Sequence, residues 1–192
     1  MEHSTNNRER ILAIAGNLFA QKGLDQTSLS DIAAGAGLSK GTLYYYYRSK
    51  DDLIYDIMVH NFQRLTDSLI ESLRFLGPGS SPAALIQLTL EKVLREEELI
   101  RLTFYLMINA ITGNEDLRLK VRQKYRDSRQ IVRSEIVALS SRGPDDPRLE
   151  ALASTVLSVL DGISLQYLIA PDDVDIAAVA REFGRMFEAG RE

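Results

Sequence analysis

The chain has 192 residues, of which 45% are hydrophobic; its formal net charge is −4 and it contains no cysteine. This length allows one large domain, or a small domain followed by a larger one, with a sizeable apolar core. The absence of cysteine excludes disulfides, Cys-ligated zinc and a cysteine nucleophile, and it fits a reducing compartment. The first ten residues are polar, with no secretory segment, and no uninterrupted apolar run approaches the ~20 residues of a membrane span. We therefore expect a cytoplasmic protein with no membrane partner.

The acidic total hides an uneven distribution of charge. Residues 1–50 carry six basic and four acidic side chains, a net charge of +2. Residues 51–192 carry seventeen basic and twenty-three acidic side chains, a net charge of −6. Because the local sign of the charge matters more than the total where one face meets phosphate, the N-terminal segment is compatible with DNA binding but does not by itself indicate it.

Helical periodicity dominates the first half of the chain, and strand signals are nearly absent. Asn6 with Glu9 resembles a capping box, and Gly23 is a suitable helix end. Similar pairs of a serine and an acidic residue, or a serine alone, mark three further helix starts. The first four predicted helices cover residues 7–22, 28–35, 39–46 and 49–76.

The second half continues the all-α pattern after a Gly/Pro/Ser-rich loop over residues 77–82. Pro82 is well placed in a first helical turn. The charged stretch 95–98 either breaks or bends the next helix, and the pattern leaves both open. A second loop covers residues 143–147, and Pro171 breaks the last apolar stretch. About nine helices are predicted in all, the later ones over residues 82–94, 96–111, 115–141, 148–169 and 173–189.

Residues 28–46 fit a helix-turn-helix. The two short helices must cross steeply, so one position must be small, and Ala33 fills it. The tight turn favours glycine, which Gly37 supplies, and apolar residues such as Ile32 and Leu43 are placed to fix both helices to a core. In such a motif the second helix lies in the major groove. An ordinary helical hairpin would show the same Ala/Gly pattern, which therefore leaves both readings open.

Residues 8–53 as a whole resemble the N-terminal domain of the tetracycline-repressor (TetR) family. The resemblance runs with fixed spacing through residues 10–12, 18–20, 22–23, 27–28, 31–33, 36–44 and 49–53, which read RIL, LFA, KG, TS, DIA, AGLSKGTLY and SKDDL. It implies an all-α protein with a three-helix DNA-binding head and a larger helical body. The division implied is a DNA-binding domain over residues 1–48 and a ligand-binding and dimerisation domain over residues 49–192.

The resemblance also implies roles for single residues of the head. Ser28 or Thr27 caps the second helix and contacts phosphate, the start of the third helix faces the major groove, and Lys50 binds phosphate. The family often has His-Phe where this chain has Tyr46-Tyr47, so operator preference cannot be copied from relatives, although Tyr46 keeps a hydroxyl donor. Leu43 and Tyr47 are expected to pack inward. The DNA contacts implied are Thr27, Ser28, Ser39, Lys40, Gly41, Thr42, Tyr44, Tyr45, Tyr46 and Lys50.

In the family the last two helices usually form a four-helix bundle with their copies in a second subunit. Here the first of them, over residues 148–169, is apolar on more than one face, as a helix needs when it packs on its own domain and on a partner. The resemblance therefore implies a homodimer. Two recognition helices about one DNA turn apart (~34–36 Å) read an inverted repeat, so we expect a palindromic operator in double-stranded DNA.

The family places a small-molecule pocket between the fourth and eighth helices. Aromatic and methionine side chains with a few polar groups suit an apolar or amphipathic effector, although each is also an ordinary core residue. The run 104–109 is the best local candidate because Asn109 is polar within an apolar stretch. The arginine row over residues 118–133 is expected to be a solvated face. The candidate ligand-binding residues are Phe62, Phe104, Tyr105, Met107, Asn109, Tyr125 and Tyr167.

These features together predict a ligand-responsive transcriptional repressor, released from its operator by the effector. A ligand-independent architectural factor or an activator is the alternative, and a fully packed body without a cavity would favour it. An enzyme is not expected, because the two histidines, His3 and His60, belong to no catalytic motif and no phosphate loop or dinucleotide fingerprint occurs. No catalytic residue, metal site or cofactor is predicted.

Overall fold

The computed structural model describes the backbone of residues 2–77, 80–140 and 142–189, and the side chains of residues 7–77, 80–140 and 142–186. Over these residues the chain forms nine α-helices, one 3₁₀ turn and no strand, which confirms the all-α prediction. The helices are α1 Glu2–Lys22, α2 Leu29–Gly35, α3 Lys40–Tyr46, α4 Lys50–Leu76, α5 Pro82–Leu94, α6 Glu97–Thr112, α7 Glu115–Leu139, α8 Leu149–Ile169 and α9 Ile176–Ala189, with the 3₁₀ turn at Pro171–Asp173.

Serine side chains begin the helices where the sequence predicts. Ser28, Ser39 and Ser49 each accept a hydrogen bond from the backbone N–H three residues later, and Ser28 and Asp31 form the full capping box. Two starts differ from prediction by more than one residue. Helix α1 begins at Glu2 because residues 2–6 contain no glycine or proline to stop it. Helix α9 begins at Ile176 because residues 171–173 form a separate 3₁₀ turn.

Helices α2 and α3 form the predicted helix-turn-helix. Ala33 is 2% exposed at their crossing, and Gly37 takes φ +62°, a left-handed conformation that glycine adopts without strain. The N–H of Leu38 donates to the carbonyl of Ala33 at 2.9 Å, which closes the turn. Leu43, fully buried, anchors α3 to the core and leaves the opposite face of that helix exposed.

Helix α4 connects the head to the body. The buried side chains of its first half, including Leu53, Ile54 and Met58, belong to one continuous core cluster with residues of α1–α3 on one side and of α6 and α7 on the other. The stretch 95–96, where the sequence leaves a break or a bend open, separates α5 from α6 and is therefore a break. A displacement of α6 against α4 would thus be transmitted directly to the head.

The remaining helices complete the body, and α5, α6, α7 and α8 line a cavity together with α4. Helix α5 packs most extensively against α9, at Gly184, where an added Cβ would lie 2.7 Å from the backbone nitrogen of Ala83. Helix α7 packs against α6 and α8. Within the described chain, α8 is the one helix long and apolar enough to span a membrane by length and composition. Most of its side chains are partly exposed here, including Leu165 and Ile169.

Candidate functional site

The exposed start of α3 is capped by one serine, Ser39. The Oγ of Ser39 accepts the N–H of Thr42 at 3.0 Å and lies 2.8 Å from the Thr42 hydroxyl. Lys40 and Gly41 are exposed in the first turn, and a Cβ added at Gly41 would meet only the Oγ of Ser39, at 3.8 Å. This end of the helix therefore offers an ammonium group, two hydroxyls and a bare backbone, which suits the donors and acceptors of base edges.

Aromatic side chains extend the same surface. Tyr44 is 50% exposed and Tyr45 is 83% exposed, while Tyr46 is half-buried and stacks edge-on against Tyr45 with ring centroids 5.4 Å apart. An aromatic hydroxyl held in solvent next to a basic helix start is a suitable donor to phosphate. Ser28, the N-cap of α2, is also exposed. Its hydroxyl donates a hydrogen bond to the carboxylate of Asp31.

Thr27 corrects the sequence-based assignment. Its side chain is 2% exposed, and its hydroxyl donates to the carbonyls of Gly23 at 2.8 Å and Leu18 at 3.3 Å. A buried hydroxyl with both bonds inside the head does not reach DNA. The family segment Thr27-Ser28 therefore divides into a residue that fixes the α1–α2 turn and a residue that faces outward.

Lys50 lies at the first position of α4 and is half-buried. Its ammonium group donates a hydrogen bond to the carbonyl of Leu24 in the turn after α1. An ammonium group has three N–H donors, so this bond holds Lys50 at the edge of the head and leaves donors for a phosphate.

A partly exposed cluster, which the sequence reasoning missed, joins α1, the end of α3 and α4. Asp56 accepts a hydrogen bond from the Tyr47 hydroxyl at 2.5 Å and two from Arg8, at 2.5 and 3.0 Å. Burial and the neighbouring carboxylate raise the pKa of Tyr47, so its hydroxyl stays a donor. The expectation that Tyr47 packs inward is confirmed, since it is 5% exposed. Arg8 and Asp56 are 48 residues apart, and no local pattern in the sequence signals the pair.

The first turn of α4, which directly follows the head, is bonded to α6 and α7. Oδ1 of Asp51 lies 3.3 Å from the Tyr105 hydroxyl and 3.5 Å from Nδ2 of Asn109, both on α6, and Oδ2 accepts a hydrogen bond from Asn114 at 2.9 Å. Asp52 accepts one from Lys120 of α7 at 2.5 Å. Burial raises the pKa of Tyr105, as does the nearby Asp51 carboxylate, although Asn109 opposes them, so Tyr105 stays protonated.

A cavity of about 310 Å³ lies between α4, α5, α6, α7 and α8, and Phe183 of α9 also lines it. Its walls are mainly leucine, isoleucine, valine and aromatic side chains. Cavities of ~300–1,000 Å³ with apolar walls and a few polar groups are typical small-molecule sites. The site therefore favours an apolar or amphipathic molecule.

Four polar side chains stand out in the walls of the cavity. The Tyr125 hydroxyl donates to Asp161 at 2.6 Å, and burial raises the pKa of Asp161 more than this bond lowers it. The ammonium nitrogen of Lys124 lies 3.6 Å from the centre of the Phe62 ring, and burial lowers the pKa of Lys124. Glu135 lines the cavity farther along α7.

The structure places four of the seven candidate ligand residues in the cavity wall: Phe62, Phe104, Met107 and Tyr125. Tyr105 and Asn109, four residues apart, share the other face of α6 and contact Asp51 instead, which corrects their placement. Tyr167 is also not among the lining residues, which end on α8 at Ser164.

The arginine row of α7 lies outside the cavity. Arg118, Arg122 and Arg126 are exposed, whereas Arg129 and Arg133 pair with Glu150 at 3.1 and 3.4 Å. Across the described residues, no group of three His, Asp or Glu side chains is arranged to hold a metal ion.

Two family models match this chain, and the second covers more than half of it. Residues 11–57 match the model described as bacterial regulatory proteins, tetR family. Residues 82–188 match the model described as BetI-type transcriptional repressor, C-terminal. The chain belongs to the TetR family of transcriptional regulators. This family consists of DNA-binding helix-turn-helix proteins and not of enzymes, so the sequence-based prediction of the family is confirmed.

Curated relatives of this TetR-family regulator match less than a third of the chain. The regulator AcrR of Shigella flexneri is 38% identical over 56 residues, which are 29% of this chain and 26% of AcrR. The repressor KstR2 of Mycolicibacterium smegmatis is 34% identical over 53 residues, which are 28% of this chain and 26% of KstR2. The matched part thus spans about a quarter of these relatives.

Solved structures share the whole fold of this TetR-family regulator. FadR of Thermus thermophilus, a TetR-family repressor in complex with lauroyl-CoA, has a TM-score of 0.71 and 23% identity, with 96% of this chain and 95% of that chain covered. GusR of Salmonella enterica has a TM-score of 0.69 and 24% identity, with 93% of each chain covered. FadR of Bacillus subtilis, in complex with stearoyl-CoA, has a TM-score of 0.65 and 17% identity, with 96% of this chain and 99% of that chain covered.

Proposed function

We propose that this TetR-family regulator is a cytoplasmic, dimeric repressor that binds an inverted-repeat operator and is released by a small apolar or amphipathic effector. The observation that carries the proposal is the double contact of α6, which lines the cavity with Phe104 and Met107 and, through Tyr105, contacts Asp51 in the first turn of α4, directly after the head. One rigid helix thus touches both the ligand site and the DNA-binding end of α4. Residues 1–48 act as the DNA-binding unit and residues 49–192 as the sensing and dimerisation unit.

The DNA-binding surface is the exposed face of α3 with its flanking caps. Lys40 and Thr42, with the open backbone at Gly41, read base edges in the major groove. Ser28, Lys50 and the exposed tyrosines contact phosphates and set the register on the duplex. The proposed contacts are Ser28, Ser39, Lys40, Gly41, Thr42, Tyr44, Tyr45, Tyr46 and Lys50.

Release follows from a displacement of α6. A ligand that fills the cavity presses on Phe104 and Met107, and α6 carries Tyr105 and Asn109 with it against Asp51. The first turn of α4 and the head then change position, and the two heads no longer match successive major grooves. A coupling of ~1–3 kcal/mol between the two sites suffices for such a switch.

The last two helices form the dimer interface. Helix α8 is strongly apolar, yet only Leu149, Ala153 and Ser164 are buried within one chain. A helix of this composition with so little of its surface covered is expected to pack against a second copy. The partly exposed apolar face also supplies an explanation for its membrane-span-like composition.

The presence of the cavity favours the ligand-responsive repressor over a ligand-independent factor.

The proposed function is tested by a selection of sheared genomic DNA from the source organism with purified protein, with Tyr44→Ala as the control. We expect the native protein to recover a shared inverted repeat, and the variant to lose it.

Recovery of no specific sequence has two readings, which refolding separates. If refolded protein, freed of co-purified small molecules, recovers an inverted repeat, a bound effector had held the protein in its released state. If refolded protein also recovers none, operator binding by this head is contradicted. The small molecules removed by refolding are then added back to the refolded protein. A loss of operator affinity with the dimer intact supports effector release.

A further inference from the structure

One buried carboxylate oxygen in the cavity wall has no hydrogen-bond partner. It is Oε2 of Glu135, and among the side-chain nitrogen and oxygen atoms that the structure describes it is the one buried atom in this condition. Buried polar atoms in folded proteins nearly always have a partner, and a buried carboxylate is costly without one. This oxygen is therefore available to a donor that the described chain does not itself supply.

The second oxygen of Glu135 is only weakly neutralised. Its Oε1 lies 4.0 Å from the guanidinium of Arg74, at the outer limit of an ion pair. The Arg74 side chain is 71% exposed, whereas the Glu135 side chain is 15% exposed. Because the cation lies mostly in water, solvent screens its attraction for the Glu135 carboxylate.

The other end of the cavity is balanced in charge. Lys124 lies over the Phe62 ring, and its neighbour Tyr125 donates to Asp161, so one base and one acid line this region. Lys124 and Glu135 are eleven residues apart on α7, which separates them by ~16 Å along the helix axis. The wall between them presents Ile131 and Val132 to the cavity.

We propose that the effector is an amphiphile with a protonated amine at one end. The ammonium group donates a hydrogen bond to Oε2 of Glu135, and the apolar body lies along α7 toward Phe62. A charge-assisted bond of this kind satisfies the buried oxygen and orients the ligand. The inference rests on the proposed function, and it gives the effector a charge opposite to that of the acyl-CoA bound by the two FadR structures.

The test compares three probes with the same chain and different head groups: decylamine, decanoate and decanol. Each is titrated into the purified full-length protein by calorimetry, below its aggregation concentration. We expect decylamine to bind at least tenfold more tightly than decanol, with decanoate weakest. Glu135→Gln keeps the shape of the side chain. It is expected to weaken the binding of decylamine at least tenfold, while the affinity for decanol changes less than threefold.

Two further variants serve as controls. Asp161→Asn makes the same acid-to-amide change at the balanced end of the cavity and is expected to leave the preference for the amine in place. Lys124→Met is expected to leave it in place as well. Circular dichroism melts of all three variants establish that they fold, and retained operator binding establishes that the heads are intact.

Three outcomes overturn the inference: tightest binding by decanoate, unchanged decylamine affinity in Glu135→Gln, or no binding of any probe by protein that binds its operator. The proposed function fails in a different way. Decylamine that binds through Glu135 but leaves operator affinity unchanged supports the inference and contradicts effector release.

Discussion

The hydroxyl of Tyr105 on α6 lies 3.3 Å from Oδ1 of Asp51 in the first turn of α4. The residue before it, Phe104, lines the cavity. Successive residues of a helix point about 100° apart, so α6 presents one side chain to the cavity and the next to the first turn of α4. Asp51 also accepts a hydrogen bond from Asn114, the cap of α7, and so ties three helices together at one carboxylate.

Asp51→Asn should weaken this junction. An amide oxygen loses the charge that strengthens the bonds from Tyr105 and Asn114, and we expect the free energy of unfolding to fall by about 1–3 kcal/mol. Denaturant unfolding measures the change. The matched control is Asp116→Asn, an exposed acid in the first turn of α7, which should stay within about 0.5 kcal/mol of the native protein. Strict additivity of Asp51→Asn with Tyr105→Phe would show that the two groups do not interact.

Thr27 and Ser28 should separate into a structural and a DNA-contacting role. Thr27→Val removes a buried hydroxyl that serves Gly23 and Leu18, so we expect a loss of stability of about 1–2 kcal/mol with the operator affinity of the folded protein unchanged. Ser28→Ala removes the N-cap of α2, which lowers the free energy of unfolding by about 1 kcal/mol. We expect the same change to weaken DNA binding. Fluorescence anisotropy with an operator duplex, at a temperature where both variants are folded, separates the effects. Weaker binding by Thr27→Val alone would reverse the two assignments.

Lys40 and Lys50 should differ in the kind of DNA contact they make. Lys50→Ala removes a phosphate contact, so binding to all sequences weakens similarly and the salt slope falls by about one. Lys40→Ala relaxes the preference for particular bases. Competition binding at several salt concentrations with specific and random duplexes measures both. Arg95→Ala, an exposed cation between α5 and α6, is the control and should change neither quantity. Altered base preference in Lys50→Ala with an unchanged salt slope would contradict its role.

Leu165→Arg should break the proposed dimer. Leu165 is 45% exposed on α8, and a charge buried between two copies of this helix lacks a partner there. We expect a monomer by sedimentation velocity and at least a tenfold loss of operator affinity, because one recognition helix reads only a half-site. Ile108→Arg on α6, where the native side chain is 59% exposed, is the matched control and should remain dimeric. A dimeric Leu165→Arg protein would move the interface elsewhere.

Asp161 should make the protein less stable as the pH rises. Burial raises its pKa in the folded chain, so the folded state holds this proton more tightly than the unfolded state. Stability therefore falls as pH rises from the unfolded pKa through the folded pKa. Asp161→Asn keeps an acceptor for Tyr125 without the charge, and we expect Tm to rise by about 2–4 °C at pH 7.

The gain from Asp161→Asn should disappear below pH 3.8, the ordinary pKa of the group. Calorimetric melts across this range measure it. Asp172→Asn, an exposed acid in the 3₁₀ turn, is the control and should show no such pH-dependent gain. A gain that persists at acid pH would assign the effect to packing instead of charge.

The sequence by itself determined the family, the helices and the position of the helix-turn-helix. Helix starts depend on neighbouring residues, as at Ser28 with Asp31, and apolar spacing marks each helix face, so local patterns suffice. The roles of Ala33 and Gly37 could be predicted for the same reason, because a steep crossing and a left-handed turn restrict the residue types at those positions.

Only the tertiary structure decided which side chains meet across the fold. Thr27 and Ser28 are adjacent, yet one is buried and the other exposed, since their orientation depends on how α1 packs on α2. Tyr105 and Phe104 likewise face different partners, and Asp51 meets Asn114 across 63 residues of chain. The unpartnered oxygen of Glu135 is a property of everything packed around it. Contacts between distant residues depend on the packing of whole helices, which periodicity along one helix does not encode.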